Sequence, residues 1–309
     1  MSSSGRIFTN FPRWRDSIPF SVVEVSKDND SYVPYPNKEM NSWTASEKLD
    51  NTKFVSVQSV VAHQDKLYVL DTRNPKFEGI LDLPRIFVFD LSSNTLEKTI
   101  VIDSNAVKPK SYINDLRVDD AKNKIYLTDS GEAGLVIVDL KTDQSTRILD
   151  GDPSTTAEVD HLTIDGKDWN RSIHSDGIAL DTKNNILYYY ALSGYSLYAI
   201  ETKYLDANIA NDSITSAVKM IRKTGAPDGM IMDDKGIIYL ADLENHAITY
   251  VTSNGELKTL VKDEQIKWAD TFSIYDSYLY FTNSRINEID GSIKNISFAV
   301  DRVKLPETE

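Results

Sequence analysis

The chain has 309 residues, of which 40% are hydrophobic and 26% charged, a balance typical of a folded soluble protein. Its 47 acidic residues outnumber 34 basic ones, and the net charge of −13 argues against nucleic acid or an anionic membrane surface as a partner. No apolar run reaches the ~18 residues of a membrane-spanning helix, so we expect no membrane span. The absence of cysteine excludes disulfides, thiolate metal sites and cysteine nucleophiles.

A short apolar strand that carries an aromatic residue at the same relative position recurs along the whole chain. Its copies are separated by about 40 to 60 residues, the period of an array of small β-units. The strands are Arg6–Asn10, Leu67–Asp71, Ile125–Asp129, Leu187–Ala191, Ile238–Asp242 and Leu279–Asn283. The aligned aromatics are Phe8, Tyr68, Tyr126, Tyr188, Tyr239 and Tyr280.

The segments around each copy predict the fold. They are short, rich in Val, Ile and Tyr, and bounded by Asn, Asp, Gly and Lys turns. Four strands for each of six copies predict an all-β protein, a six-bladed β-propeller with four antiparallel strands per blade. We expect a single domain over residues 1–309, because the middle of the chain has no linker of the kind that two tandem β-sandwiches would need.

Two features complete this prediction. The first aromatic strand lacks a preceding strand, whereas Ile293–Val300 has strand character with no aromatic strand after it. We therefore expect chain from both termini to close the ring, within the last blade or through a neighbouring contact. The longest interval predicts a loop over about residues 150–172, with a helical turn at Thr155–Asp160, and a second short helix is expected within Thr202–Ser213.

Five polar residues stand where the inner strands begin. In a propeller such positions face the central axis at one end, so we expect their oxygens to converge on a ligand. Oxygen donors without cysteine suit a hard cation such as Ca²⁺ or another divalent ion, although no cofactor is certain. The predicted ligand-binding residues are Gln58, Asn114, Asp176, Asp228 and Asp270. The predicted metal ligands are the first four of these, with two carboxylates and two carboxamides.

Two further interpretations concern single residues. His174 lies two positions before Asp176, so we expect it to reach the central mouth. An aspartate and a histidine can act together as general acid and base, and Asp228 and His174 are therefore the candidate catalytic groups. Asp-Gly is also an ordinary turn dipeptide, and Gly177 and Gly229 would then only supply a backbone conformation that other residues avoid.

The ordered motifs resemble the Yellow and major royal jelly protein family over nearly the whole chain. They begin with the Pro-Arg-Trp sequence that ends at Trp14 and include the particularly specific Ser175–Leu180. The others are Val57–Gln58, Leu67–Thr72, Leu83–Pro84, Ile86–Leu91, Tyr112–Leu116, Tyr126–Gly131 and Leu187–Tyr190. The resemblance implies a six-bladed propeller. It also implies a function among pigment-pathway proteins linked to dopachrome conversion, royal-jelly proteins or binders of biogenic amines. Because it lacks the cysteines of the secreted insect members, the chain resembles the bacterial branch of the family, which is related to L-dopachrome tautomerase.

A more distant resemblance is to the regucalcin and gluconolactonase propellers. It implies a divalent cation held at the positions of Gln58, Asp176 and Asp228, with Asn114 on the substrate side. Gln58 replaces the glutamate of that pattern, which removes one charged ligand.

These observations leave three functions open. The first is binding, with or without conversion, of a small aromatic or polyhydroxylated molecule at the central axial mouth. The second is an enzyme, either a dopachrome tautomerase-like isomerase or a metal-dependent lactone hydrolase of the gluconolactonase type. The third is a protein-interaction scaffold.

The expected assembly and location follow from the same features. We expect a monomer with a small-molecule ligand. Met1–Gly5 has no apolar stretch of the kind found in signal peptides. Because the first strand begins soon afterwards, we expect an exported protein, periplasmic or secreted, whose leader is absent from this sequence, in preference to a cytoplasmic one.

Overall fold

The computed structural model describes residues 1–27, 31–206, 208–289 and 293–306. The chain forms two compact units, Met1–Asp150 (unit 1) and Gly151–Glu309 (unit 2). Antiparallel strands dominate both, as expected for segments whose β-branched and aromatic side chains pack well on a pleated surface. No helix in these described ranges is long and apolar enough to cross a membrane.

The described residues of unit 1 form three antiparallel sheets, each with its strands in chain order. The first contains β1 (Ile7–Asn10), β2 (Val22–Val25) and β3 (Tyr32–Pro34). The second contains β4 (Val57–His63), β5 (Lys66–Asp71), β6 (Arg85–Asp90) and β7 (Thr95–Val101). The third contains β8 (Ile113–Asp119), β9 (Lys124–Asp129), β10 (Gly134–Asp139) and β11 (Ser145–Ile148).

The described residues of unit 2 form a small hairpin and three larger antiparallel sheets. The hairpin pairs β12 (Leu162–Ile164) with β13 (Lys167–Trp169). The first sheet contains β14 (Ser175–Asp181), β15 (Ile186–Ala191), β16 (Ser196–Glu201) and β17 (Lys219–Lys223). The second contains β18 (Met230–Met232), β19 (Ile238–Asp242), β20 (Ala247–Val251) and β21 (Leu257–Lys262). The third contains β22 (Ala269–Tyr275), β23 (Tyr278–Asn283) and β24 (Ala299–Lys304).

Helical structure is sparse in the described ranges. One α-helix, α1, spans Asn211–Ala217, and the 3₁₀ turns are Pro75–Phe77, Thr202–Tyr204, Leu243–Asn245 and Ile286–Glu288. The prediction of a short helix after residue 202 is thus correct in kind, whereas the predicted turn at Thr155–Asp160 is not helical. The predicted loop over residues 150–172 contains the β12–β13 hairpin.

The larger sheets are the blades predicted from the sequence, and each contains one of the six aligned aromatic residues. The all-β, six-bladed propeller fold class is therefore confirmed, with four strands in most blades. The two terminal blades have three described strands each, and each takes them from one end of the chain alone. No described sheet mixes strands from both termini, so closure through a neighbouring contact stays a prediction.

The aromatic strands form the core of the blades. In β5 and β9 every residue after the first is buried, because both faces of these strands are covered. Full burial of one such large apolar side chain stabilises the fold by about 1.5 to 3 kcal/mol. The last strands differ from one blade to the next: β7 and β17 are mostly exposed, whereas β11 has no exposed residue.

A buried acid or amide at the end of the aromatic strand holds the loop that leads into the inner strand. Asp71 accepts hydrogen bonds from the backbone of Val55 (2.7 Å) and Ser56 (2.9 Å). Asp129 accepts one from the backbone of Tyr112 at 2.8 Å, and Asn283 uses its carbonyl oxygen in the same way for the backbone of Trp268 at 3.1 Å. These contacts fix the segments immediately before the predicted site residues.

Candidate functional site

Four of the five predicted site residues coincide with irregularities in the inner strands. The pairing register of β4 shifts between Val57 and Ser59, which brackets Gln58, and that of β8 shifts between Ile113 and Leu116, which brackets Asn114. The register of β14 shifts across Asp176, and that of β22 shifts immediately after Asp270. A β-bulge re-aims side chains and is common beside functional sites, so the bulges separate these polar residues from the regular alternation of the blades.

Gln58 and Asn114 lie together in unit 1. Strands β4 and β8 are neighbours, and the Gln58 Nε2 amide donates a hydrogen bond to Asn114 Oδ1 at 3.3 Å. Asn114 in turn donates through Nδ2 to Ser130 Oγ at 3.1 Å. These two side chains therefore meet in unit 1, and their predicted role in ligand binding stays a prediction.

Two aromatic side chains extend this chain of hydrogen bonds. The Tyr112 hydroxyl donates to Gln58 Oε1 at 2.7 Å and accepts from the Trp14 indole Nε1 at 2.7 Å. Tyr112 is only 2% exposed, so both of its hydroxyl contacts are needed to satisfy a buried polar group. The Pro-Arg-Trp, Val-Gln and Tyr-Ile-Asn motifs of the sequence thus converge at one place.

Phe77 covers this group on the solvent side. Its ring lies 4.5 Å from that of Tyr112 and 5.9 Å from that of Trp14, with interplanar angles of 30° in both pairs. Phe77 is nevertheless 50% exposed, and both Lys76 and Phe77 have a φ of 59°. Left-handed backbone at non-glycine residues is strained and tends to occur at functional sites. We call Trp14, Gln58, Phe77, Tyr112 and Asn114 the amide–aromatic cluster.

Asp176 and Asp228 lie in unit 2 and are nearly buried, at 5% and 8% exposure. Asp228 Oδ2 accepts a hydrogen bond from the Trp268 indole, and its backbone carbonyl accepts one from the Tyr190 hydroxyl. Strands β14 and β18 are neighbours, as are β18 and β22. Asp228 is therefore held in a fixed orientation by two aromatic side chains.

The glycines after these aspartates are required for packing. A Cβ at Gly177 would lie 2.1 Å from the Tyr190 ring, and one at Gly229 would lie 2.5 Å from the Phe272 ring. Neither glycine has a positive φ. The interpretation that these glycines supply a forbidden backbone conformation is thus wrong, because the aromatic rings of the blades occupy the space that a side chain would need.

Asp270 is partly exposed and makes local contacts. Its Oδ1 accepts from Thr271 Oγ1 at 3.0 Å, and its carbonyl accepts from Thr282 Oγ1 at 2.9 Å. Two of the five predicted ligand residues thus lie in unit 1 and three in unit 2, and a single shared site for all five stays a prediction.

His174 lies beside an open cavity of unit 2 with a volume of about 630 Å³. Its Nδ1 accepts a hydrogen bond from the Ala157 backbone at 3.1 Å, so the neutral ring carries its hydrogen on Nε2. The cavity is lined by Ala157, Glu158, Val159, Asp160, His161, Ser172, His174 and Tyr195. Burial raises the pKa of Tyr195, with Glu244 and Glu158 as further causes.

Calcium fits the unit 1 residues only with rearrangement. Gln58 Oε1 and Asn114 Oδ1 already accept hydrogen bonds, and the Gln58 amide hydrogens point at the Asn114 oxygen. A cation on that oxygen would meet this amide donor, and neither residue brings a negative charge. Calcium at Gln58, Asn114, Asp176 and Asp228 accordingly stays a prediction.

Two of the cluster residues that were not predicted lie near recognisable sequence features. Tyr112 lies two residues before Asn114, and Trp14 belongs to a recognised motif. Phe77 lies in an irregular connection without periodicity, so its position follows only from the path of the backbone.

The chain is similar to proteins of known families. Residues 55–304 match the family described as major royal jelly protein. Major royal jelly protein 1 of Apis mellifera is 25% identical, and the alignment covers 89% of this chain and 69% of that protein. For major royal jelly protein 3 of Apis mellifera the identity is 24%, with 92% and 57% covered. Protein yellow of Drosophila erecta is 27% identical over 46% of this chain and 28% of its own length.

Solved structures show similarity at the level of the fold alone. One, described as a nidogen/laminin complex, has a TM-score of 0.52 and 12% identity and covers 84% of this chain and 81% of that chain. Another, catalytically inactive virginiamycin B lyase from Staphylococcus aureus with quinupristin, has a TM-score of 0.51 and 11% identity, with 91% and 74% covered. The matched region and the blades together identify the chain as a member of the major royal jelly protein family.

Proposed function

We propose that the protein binds a small, flat aromatic or polyhydroxylated molecule at the amide–aromatic cluster of unit 1. The observation that carries this proposal is the half-exposed Phe77 ring, which lies on the buried Tyr112 beside the amides of Gln58 and Asn114. A ligand ring can stack on such an aromatic surface while its polar groups exchange hydrogen bonds with the neighbouring amides.

The polar groups of the cluster suit hydroxyl or amine substituents. Each carboxamide offers both a donor and an acceptor. The hydrogen-bond chain from Trp14 through Tyr112 to Gln58 fixes the orientation of the Gln58 amide before a ligand arrives. Such preorganisation lowers the entropic cost of binding. The net charge of −13 favours neutral or cationic ligands over anions.

Calorimetric titration with a panel of catechols, aromatic amines and polyols tests this proposal. We expect at least one compound to bind, and we expect Phe77→Ala and Gln58→Ala to weaken its binding about 3- to 10-fold each. The matched control is Phe298→Ala, which removes another exposed phenylalanine, at 40% exposure, from unit 2. The proposal is contradicted if no compound in the panel gives a heat of binding, or if both cluster variants bind as wild type does.

Catalysis at the His174 cavity, with His174 as a hydrogen-bond donor to the substrate, is a second proposal. It is supported by the assigned tautomer of His174, which leaves an Nε2–H donor on a residue that lines a space large enough for a small substrate. An isomerase of dopachrome-like compounds or a lactone hydrolase would use such a donor to stabilise, by a hydrogen bond, the negative charge that develops on a substrate oxygen. His174 supports this role better than Asp228, whose carboxylate is bound to the Trp268 indole.

Turnover of dopachrome and of simple lactones by His174→Gln and by wild type tests this second proposal. We expect turnover to fall about 100-fold in the variant, in line with the usual contribution of one hydrogen-bond donor to a developing oxyanion. His63→Gln, which alters a partly exposed histidine of unit 1, is the control. Equal turnover in wild type and His174→Gln, including equal background rates, counts against an enzyme at this cavity.

A further inference from the structure

Three side chains from separate loops of unit 2 meet at the tip of the β12–β13 hairpin. Asp165 lies in the turn of the hairpin, His246 directly follows the 3₁₀ turn Leu243–Asn245, and Glu264 lies in the turn after β21. One nitrogen or oxygen of each side chain lies within 4.8 Å of the other two. None of these residues belongs to the amide–aromatic cluster or to the lining of the His174 cavity.

The hydrogen bonds of His246 determine which of its nitrogens faces the carboxylates. Nδ1 lies 2.9 Å from the carbonyl oxygen of Ile266. A carbonyl can only accept, so Nδ1 carries a hydrogen and donates it. Nε2 then faces Asp165 Oδ1 at 2.7 Å and Glu264 Oε2 at 3.8 Å.

This arrangement needs a positive charge at Nε2, which faces the carboxylates. In the neutral ring the lone pair of Nε2 would point at a carboxylate oxygen only 2.7 Å away, which is repulsive. Either a second proton or a metal ion removes this repulsion. In metal sites a histidine commonly donates one ring N–H to a backbone carbonyl and binds the metal through its other nitrogen. His246 has this orientation, because its Nδ1–H is donated to Ile266 and its Nε2 faces two carboxylates.

We propose that Asp165, His246 and Glu264 form a binding site for a divalent transition-metal ion, with Zn²⁺ as the expected occupant. One imidazole and two carboxylates are suitable zinc donors, whereas Ca²⁺ and Mg²⁺ prefer oxygen donors alone. Two ligand atoms at zinc bond lengths lie about 3.0 to 3.4 Å apart. His246 Nε2 lies 2.7 Å from Asp165 Oδ1 and 3.8 Å from Glu264 Oε2, so the two carboxylates need to move only slightly to reach this spacing.

The exposure of the two carboxylates permits those movements. The His246 side chain is 7% exposed and rigidly placed, whereas those of Asp165 and Glu264 are 38% and 78% exposed. Lys267 Nζ lies 3.3 Å from Asp165 Oδ2 and competes with a metal for this carboxylate. The bound ion would join the hairpin to two other loops of unit 2 and would stabilise the hairpin against local unfolding.

Cobalt titration of the full chain tests this proposal, because Co²⁺ replaces Zn²⁺ in such sites and gives visible absorption bands. After removal of metal with a chelator, we expect one equivalent of Co²⁺ to produce the bands and one equivalent of Zn²⁺ to abolish them. Glu264→Gln and Asp165→Asn should each weaken binding roughly 10- to 100-fold. Glu264→Gln is informative even if other variants unfold, since its side chain is largely exposed.

Two further variants sharpen the test. Lys267→Gln removes the competing ammonium group and should tighten Zn²⁺ binding. Asp120→Asn is the matched control, because it alters another histidine–carboxylate contact, from His63 Nε2 to Asp120 Oδ2 at 2.6 Å, in unit 1. The proposal is wrong if wild type gives no bands and no heat with Zn²⁺, or if Glu264→Gln and Asp165→Asn bind as wild type does. It is also wrong if NMR shows His246 fully protonated at neutral pH and unaffected by Zn²⁺.

Discussion

The Tyr112 hydroxyl donates a 2.7 Å hydrogen bond to Gln58 Oε1 and so joins the inner strand β4 to the residue that precedes β8. The Tyr112 hydroxyl oxygen also accepts a hydrogen bond from the Trp14 indole N–H. One buried hydroxyl therefore orients three segments of unit 1 that are far apart in the sequence. This relationship makes the amide–aromatic cluster a fixed structure, and several predictions about stability depend on it.

Removing the Tyr112 hydroxyl should destabilise the protein without removing the aromatic ring. Tyr112→Phe leaves the Trp14 indole N–H and one lone pair of Gln58 without their partner. Because both groups are only partly buried, the loss should be about 1 kcal/mol, the lower end of the cost of an unsatisfied group. Urea unfolding followed by tryptophan fluorescence measures this loss. Tyr32→Phe, at an aromatic with 45% exposure, should change the free energy of unfolding by less than about 0.5 kcal/mol. Equal effects of the two variants would show that the hydroxyl contacts contribute nothing.

Asp71 should be among the most sensitive positions in unit 1. Its carboxylate is fully buried and accepts from the backbone of Val55, Ser56 and Arg73, and it lies 3.5 Å from the buried Arg73 guanidinium. Asp71→Ala leaves the guanidinium without this carboxylate, which should lower the free energy of unfolding by about 3 to 5 kcal/mol. Thermal or urea unfolding measures the loss. A loss below about 1 kcal/mol would contradict the role assigned to this carboxylate in holding the loop before Gln58.

Gly177 should not tolerate a methyl group while Tyr190 is present. Gly177→Ala places a Cβ within the Tyr190 ring and should destabilise the protein by about 1 to 3 kcal/mol through overpacking. In a Tyr190→Ala background the same change should cost much less, so a double-mutant cycle gives the coupling between the two positions. Additive effects in this cycle would mean that the conformation of the glycine backbone, and not the ring, restricts position 177.

The pH dependence of stability should change when Asp242 is neutralised. Burial raises the pKa of Asp242 above 3.8, despite hydrogen bonds from Asn245. Because the folded state disfavours the ionised form, Asp242 lowers the free energy of unfolding as pH rises from about 4 through its folded pKa. Asp242→Asn, which copies the amide present at Asn283, lacks this effect. The stability of the variant relative to wild type should therefore increase with pH over this window.

Urea unfolding at a series of pH values between 4 and 7 measures that difference. A difference that is constant or decreases with pH would show that the folded protein does not disfavour the Asp242 carboxylate.

The repeats made the fold and part of the cluster predictable. The spacing of the aromatic strands identifies the blades, and the positions before them identified Gln58 and Asn114, which lie on neighbouring strands. The contribution of Trp14 could not be predicted, because a contact over 98 positions in sequence depends on how the segment before β2 folds back. Phe77 was not predictable for the same reason.

Local patterns were misleading where packing between elements decides the structure. Gly177 and Gly229 are explained by the Tyr190 and Phe272 rings, whose positions depend on strand pairing. His246 lies in the turn after Leu243–Asn245 and faces Asp165 only because the β12–β13 hairpin brings Asp165 close to that turn. The hairpin itself lay in a segment predicted as loop, although Leu162 and Ile164 alternate as a strand should.

The indole N–H signals of the four tryptophans in a ¹H–¹⁵N NMR spectrum give the most direct test of ligand binding at the amide–aromatic cluster. The Trp14 signal is assigned with Trp14→Phe, and Trp43, at 2% exposure and bonded to the Lys48 carbonyl, serves as the internal reference. Titration with the compound that binds most tightly in the calorimetric panel should shift the Trp14 signal in a saturable way and leave that of Trp43 in place. A saturable binder that leaves the Trp14 signal unmoved would contradict a binding site at this cluster.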